Sequence, residues 1–181
     1  MLPDYLKPGL RLVVCGTVPS RESAEVHHYY TGRGNAFWPL LYEARLTTEP
    51  LVYQEDSRIT QFGIGLTDLA KYVGSSSDKR TMQHFDARAL TRSIARHRPE
   101  WIAFNGKTAA AFVARKLGWR DGLFLGPQPW SIDDIPVFAL PSSSAANCDP
   151  SHLDGRSCRL EWYRELATVI GVSGASADEG A

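Results

Sequence analysis

The sequence predicts an α/β fold, a parallel sheet flanked by helices. Three observations carry that expectation. Four short apolar runs recur along the chain, at Leu12–Cys15, within Phe62–Leu69, at Trp101–Phe104 and at Pro136–Leu140. They are too short for buried helices and lack polar alternation, which is the pattern of strands covered on both faces. Segments of helical spacing stand between them, and strands alternating with helices imply a parallel sheet. Right-handed crossovers then bring the C-terminal ends of the strands to one edge.

The first run, Leu12-Val13-Val14-Cys15, breaks at Gly16 and enters a polar loop ending in Tyr29-Tyr30-Thr31-Gly32-Arg33-Gly34-Asn35-Ala36-Phe37-Trp38. Phe37, Leu40, Leu41 and Ala44 follow at i, i+3, i+4 and i+7, one face of a helix. Pro39 falls in its first turn, where a missing N–H does little harm. Residues 47–60 read as an irregular loop with at most a helical turn. The second strand ends at Asp68, and Gly74-Ser75-Ser76-Ser77-Asp78 has loop composition. Asp86 is placed to cap a helix carrying Leu90 and Ile94 and ending near Pro99. After the third strand, Asn105-Gly106 makes a turn. The alanine-rich stretch from Lys107 to Leu117 should be helical, with Gly118 as its stop. The fourth strand runs into Pro141-Ser142-Ser143-Ser144-Ala145-Ala146-Asn147, and Leu160, Tyr163, Ala167 and Ile170 mark a last helix.

The length of 181 residues suits one domain, taken as residues 1–170, with residues 171–181 expected to be a disordered tail. Twenty basic and 20 acidic side chains cancel, which argues against coating a polyanion with the whole surface. A local basic patch stays open, with Arg33, Lys71, Lys79, Arg80 and Lys107 as candidates. No apolar run reaches the roughly 20 residues that span a bilayer. The first residues lack the pattern of a secretion signal, so no membrane partner and a cytoplasmic location are expected. Cys15 reads as a small core residue, Cys148 and Cys158 lack zinc-pair spacing, and three cysteines without a motif argue against an iron–sulfur cluster. Neither a glycine-rich dinucleotide motif nor a P-loop is present.

Four polar clusters should thus meet at one mouth: the loop after Cys15, Asp68, Asn105, and the serines after Leu140. At these residues the sequence resembles the uracil-DNA glycosylase superfamily, closest to its mismatch-specific uracil/thymine branch. The matching stretches are GTVPS (Gly16–Ser20), HHYYTGRGNAFW (His27–Trp38), FGIGLTDL (Phe62–Leu69), FNGK (Phe104–Lys107) and LPSSSAAN (Leu140–Asn147). They occur in the family's order, and the resemblance, spacing included, covers roughly Arg11 to Tyr163; it implies no metal or cofactor. The resemblance implies a three-layer α/β/α sandwich around a short, mainly parallel four-stranded sheet. It implies a monofunctional hydrolase of base excision repair that flips a damaged base, notably uracil in a G·U mismatch, and leaves an abasic site. Double-stranded DNA with a mismatched or damaged base is the implied partner, with single-stranded DNA as a further candidate. A monomer, associated with the nucleoid when acting, is expected.

One departure matters. The branch reads Gly-Ile-Asn-Pro-Gly in its first motif, and that Asn positions the attacking water. Here the position is Val18, whose side chain cannot polarise water. A carboxylate suits both the cationic sugar and the water, so Asp68 is the catalytic candidate; capping a helix or pairing with Lys71 or an arginine is the structural alternative. Asn35 is the second catalytic candidate and could also read a pyrimidine edge, or merely cap the helix at Ala36. The resemblance assigns Tyr30 to stacking on the flipped base, against ordinary core packing. Gly16 and Thr17 would offer backbone N–H groups to the departing base. Val18 and Ser142 complete the substrate-binding set. Ser143, Ser144, Ala145 and Ala146, with Arg33 and Lys71, are the expected DNA contacts. Ala146 stands at the family's wedge position, where a larger side chain is usual. His27 and His28 would touch DNA or lie on the surface.

Two other classes remain. Ser142–Ser144 with His152 and Asp154 suggest a serine hydrolase, without the usual Gly-x-Ser-x-Gly elbow. Val18 also suits a damaged-DNA binding module that has lost catalysis. A hypoxanthine-specific branch resembles the YYTGRGNAFW stretch as well.

Overall fold

The computed structural model describes residues 2–71, 82–147 and 149–171. Five strands form one sheet: β1 (Leu12–Gly16), β2 (Ile64–Asp68), β3 (Trp101–Asn105), β4 (Gly126–Ile132) and β5 (Ile135–Leu140). Their order is β2-β1-β3-β5-β4, with β4 antiparallel to β5 and the other pairs parallel. Among the described residues the helices are α1 (Arg21–Val26), α2 (Phe37–Glu43), α3 (Ala87–His97), α4 (Lys107–Lys116) and α5 (Arg159–Val169). Short 3₁₀ segments occupy Tyr53–Phe62, Ala145–Asn147 and Pro150–Leu153.

The three layers follow from strand alternation. Leu12 and Val14 of β1, Ile64 and Leu66 of β2, and Phe138 and Leu140 of β5 face one core, built with α2, α5 and Tyr29. Val13, Cys15, Ile102, Phe104, Val137 and Ala139 face the other, built with α3 and α4. Successive side chains on a strand point to opposite faces, so each apolar run fills two cores at once. Cys15 is one of these buried core residues, as its apolar surroundings predict.

The expected four-stranded sheet gains a fifth strand. Gly126-Pro127-Gln128-Pro129-Trp130-Ser131-Ile132 carries two prolines and no continuous apolar run, so its sequence looks like a loop. It is an edge strand, where proline's missing donor is tolerated. Its pairing with β5 shifts register between Pro127 and Ser131. The six-residue α1 also escapes periodicity; Ser20 starts it, its Oγ accepting from Ser23 N–H at 3.1 Å. Residues 53–62 form a longer 3₁₀ segment than the single turn expected. The expected α2, α3, α4 and α5 are present. The Asp86 cap accepts from Ala89 N–H at 2.8 Å, and Gly118 takes a positive φ after α4. The serine-rich loop at Gly74–Asp78, Lys79, Arg80, Cys148 and the tail at residues 172–181 lie outside the described residues.

Candidate active site

Parallel pairing sets the site. Gly16 is the register partner of Asp68, and Asn105 is the partner of Leu140. The strand ends therefore open together, and a cavity of about 400 Å³ lies against them. That size suits a nucleobase and part of its sugar. Gly16, Thr17, Val18, Tyr30, Asn35, Asp68, Ser142, Ser143, Ser144 and Ala146 all line it. Every expected substrate-binding residue is thus on one wall or another of a single cavity. Leu2, Pro19, Ser20, Ser23, Tyr29 and Asn105 line it too.

Asp68 ends β2 and is 7% exposed. Among the described residues it caps no helix, and it forms no ion pair with Lys71. Lys71 instead pairs with Asp4 and donates to Thr67 Oγ1 at 3.0 Å. Thr67 Oγ1 in turn donates to Asp4 at 2.6 Å. Burial pushes the Asp68 carboxyl up to about 7; the Lys71 charge holds it down in part, and Asp4 pushes it up. A β-carbon on Gly16 would collide with Asp68 Oδ1 and lie 3.4 Å from its Cγ. Glycine at this position is what lets the carboxylate lie over the end of β1.

Tyr30 approaches the same point from the loop. It holds a left-handed backbone, φ 55°, uncommon for a non-glycine residue. One face of its ring stacks on Phe37, with centroids 3.8 Å apart and planes 29° from parallel. Its hydroxyl is buried. The loop is fastened from two sides. Ser23 of α1 bonds the Thr31 hydroxyl at 3.1 Å. Asp56, 1% exposed, accepts from Tyr29 N–H at 2.9 Å, from the Tyr5 hydroxyl at 2.9 Å and from the His28 ring at 3.1 Å. His28 Nδ1 is therefore committed to Asp56, and His27 ends α1 in a left-handed conformation.

Asn35 does two things. Its Oδ1 accepts from Phe37 N–H at 3.0 Å, an Asx turn opening α2, while its side chain also lines the cavity. Asn105 is more than a turn residue. Its Oδ1 accepts from Ser143 N–H at 3.0 Å and its Nδ2 donates to Ser143 Oγ at 2.9 Å. Arg159 at the start of α5 donates to the carbonyls of Ser143 and Ser144, at 3.3 and 2.8 Å. Ala36 N–H donates to Ser143 as well, at 2.9 Å. Ser143 is consequently 1% exposed and pins the loop; it is not a surface contact for DNA, as the sequence suggests. Ala145 and Ala146 are exposed, and with Ser144 and Arg33 they border a groove that continues from the cavity.

The expected basic patch is thinner than its sequence. Lys71 is paired with Asp4 and lines a separate cavity behind Asp68, with His84 and Asp86. Lys107 pairs with Asp154. Asp154 also accepts from Leu125 N–H at 2.7 Å, so it does not orient His152, and no serine-hydrolase triad is assembled. Among the described residues no group of three or more His, Cys, Asp or Glu is placed to hold a metal ion. Sequence reasoning missed Asp56, Arg159, Leu2 and Asp4. Of these only Arg159, heading a recognisable helix just after the serine loop, carried any signal.

An α/β sandwich whose parallel strands end at a base-sized, carboxylate-bearing cavity belongs among the base- and nucleotide-handling folds. The model of the uracil DNA glycosylase superfamily matches residues 3–167, and the chain belongs to that superfamily. Membership makes it a glycosidase-type hydrolase that acts on DNA. Its fold is similar to the solution NMR structure of a Methanosarcina acetivorans protein provisionally assigned as a uracil DNA glycosylase. The two share 22% identity over 91% of this chain and 96% of that one, with a TM-score of 0.57.

Proposed function

We propose that the protein is a monofunctional DNA glycosylase that hydrolyses the N-glycosidic bond of a flipped uracil, with G·U mismatches favoured, and leaves an abasic site. The observation that carries this reading is Asp68: buried at the cavity wall, in no ion pair among the described residues, and beside a glycine that leaves it room over the end of β1. Cleavage builds positive charge on the sugar and negative charge on the base. An ionised Asp68 stabilises the first and accepts a proton from the attacking water, the work that Val18 cannot do. Asn35 reads the polar edge of the base from the opposite loop, its Oδ1 already oriented by Phe37 N–H. No lysine lines the cavity among the described residues, so a Schiff-base route through an amine has no nucleophile there.

The mismatch preference rests on Ala146. Its side chain is exposed at the cavity rim and too small to fill a vacated base stack. Targets already weakly stacked then cost least to open. The test is one panel of labelled substrates: U·G, U·A, T·G and hypoxanthine duplexes and single-stranded U. Excision fastest from U·G, and lost in Asp68→Asn, is the expected result. Fastest excision from paired U·A would refute the preference. Hypoxanthine as the best substrate would replace uracil, and tight binding without any abasic product would leave only a damaged-DNA binding module.

A further inference from the structure

We propose that the Tyr30 hydroxyl is a catalytic donor, holding the attacking water against Asp68 above Gly16. This rests on the glycosylase reading and assigns its missing water-positioning group. Three observations meet at one point. A β-carbon at Gly16 would lie 3.3 Å from Tyr30 Oη and would collide with Asp68 Oδ1, so both oxygens face the same space over the end of β1. Gly16, Tyr30 and Asp68 all line the cavity, so that space is continuous with the base pocket. The Tyr30 hydroxyl is buried, and among the described residues no acceptor takes its proton; the Asn105 amide approaches its oxygen as a donor. Asn105 uses its Oδ1 and one N–H on Ser143, and its second N–H faces the Tyr30 oxygen, which leaves the Tyr30 proton to be donated into the cavity.

A buried hydroxyl whose proton has no acceptor costs stability, and such a group at a cavity wall marks a place for a ligand or water. A water there has an acceptor in Asp68 and a donor in Tyr30, two of the two to four partners that an ordered water requires. The ring is held for this task rather than for stacking alone. Phe37 occupies one of its faces, and the strained backbone at Tyr30 is fixed by the Ser23 and Asp56 bonds on either side. The step balances simply. The water oxygen bonds to the sugar C1′ as the bond from C1′ to the base nitrogen breaks. The electron pair leaves with the base, one water proton passes to Asp68, and the base takes its proton from solvent.

The test is Tyr30→Phe, which keeps the ring and its packing and removes only the oxygen. Single-turnover excision should fall about 10–100-fold. Binding of duplex carrying a non-cleavable 2′-fluoro-deoxyuridine should stay within about twofold, and the melting temperature should not fall. Tyr30→Leu should lose both rate and binding. A crystal structure of the wild type should show an ordered water bonded to Asp68 and Tyr30 Oη. Wild-type rate in Tyr30→Phe, a loss of binding that matches the loss of rate, or a site without that water overturns the inference. If wild type excises, Asp68→Asn is dead and Tyr30→Phe is normal, this inference alone fails. If wild type removes no base at all, the glycosylase reading fails and takes this inference with it.

Discussion

Gly16 and Asp68 are register partners on adjacent parallel strands, and the carboxylate of one occupies the space where the other would carry a β-carbon. The last residues of two strands thereby make one functional unit. Gly16→Ala should force Asp68 aside. We expect excision to drop by at least about 100-fold, because small misplacements of a catalytic group cost that much. Overpacking should also destabilise the fold by about 1–3 kcal/mol. Single-turnover kinetics together with urea denaturation separate the two effects.

The pH–rate profile should carry an acid limb near pH 7, activity rising as Asp68 loses its proton. The groups acting on that proton are Lys71 and Asp4, with Cys15, Tyr29 and Tyr30 as neutral neighbours. Lys71→Met removes a positive charge and leaves Asp4 unopposed, so the limb should move to higher pH. Asp4→Asn should move it to lower pH. A limb that stays in place in both variants would mean that another group titrates.

Asp68 also makes stability depend on pH. The folded protein keeps its proton up to about pH 7, whereas the unfolded chain releases it near 3.8. Folding stability from this group is present in full below the unfolded value and declines as pH rises through the folded one, by on the order of 4 kcal/mol. Asp68→Asn carries no such dependence. It should therefore melt higher than wild type at pH 7 to 8 and gain little at pH 4, while losing activity. Equal melting temperatures at both pH values would contradict the buried, raised carboxyl.

The serine loop is held by Asn105 and Arg159 together. Asn105→Ala leaves the buried Ser143 N–H unpaired and should cost about 1–3 kcal/mol. Arg159→Ala removes two bonds to the carbonyls of the same loop. Because the two act on one segment, their effects on DNA affinity should be non-additive in a double-mutant cycle. Additive losses would show that the loop is held elsewhere.

Four of the five strands were legible because each is a continuous apolar run, the pattern that burial on both faces requires. β4 was not, since Pro127 and Pro129 break the pattern at an edge where they are tolerated. The meeting of Gly16, Asp68, Asn35 and Ser142 was legible for a topological reason: parallel strands bring their ends to one side. What side chains do there was less so. Ser142, Ser143 and Ser144 look equivalent in sequence, and it is the approach of Asn105, Arg159 and the Ala36 N–H that turns Ser143 inward. Asp4 and Asp56 come from irregular segments with no periodic signal, and their positions depend on tertiary contacts alone.

The two rims of the sheet are dressed differently, with one result. At β2, Tyr5 bridges to Leu66 through paired backbone bonds of 3.0 and 3.2 Å, so that strand already has a partner along part of its length. At β4, prolines and a register shift spoil the ladder. Neither rim offers a long, regular row of donors and acceptors to a strand from another chain. Concentrated solutions of this protein should accordingly resist amyloid-like strand addition.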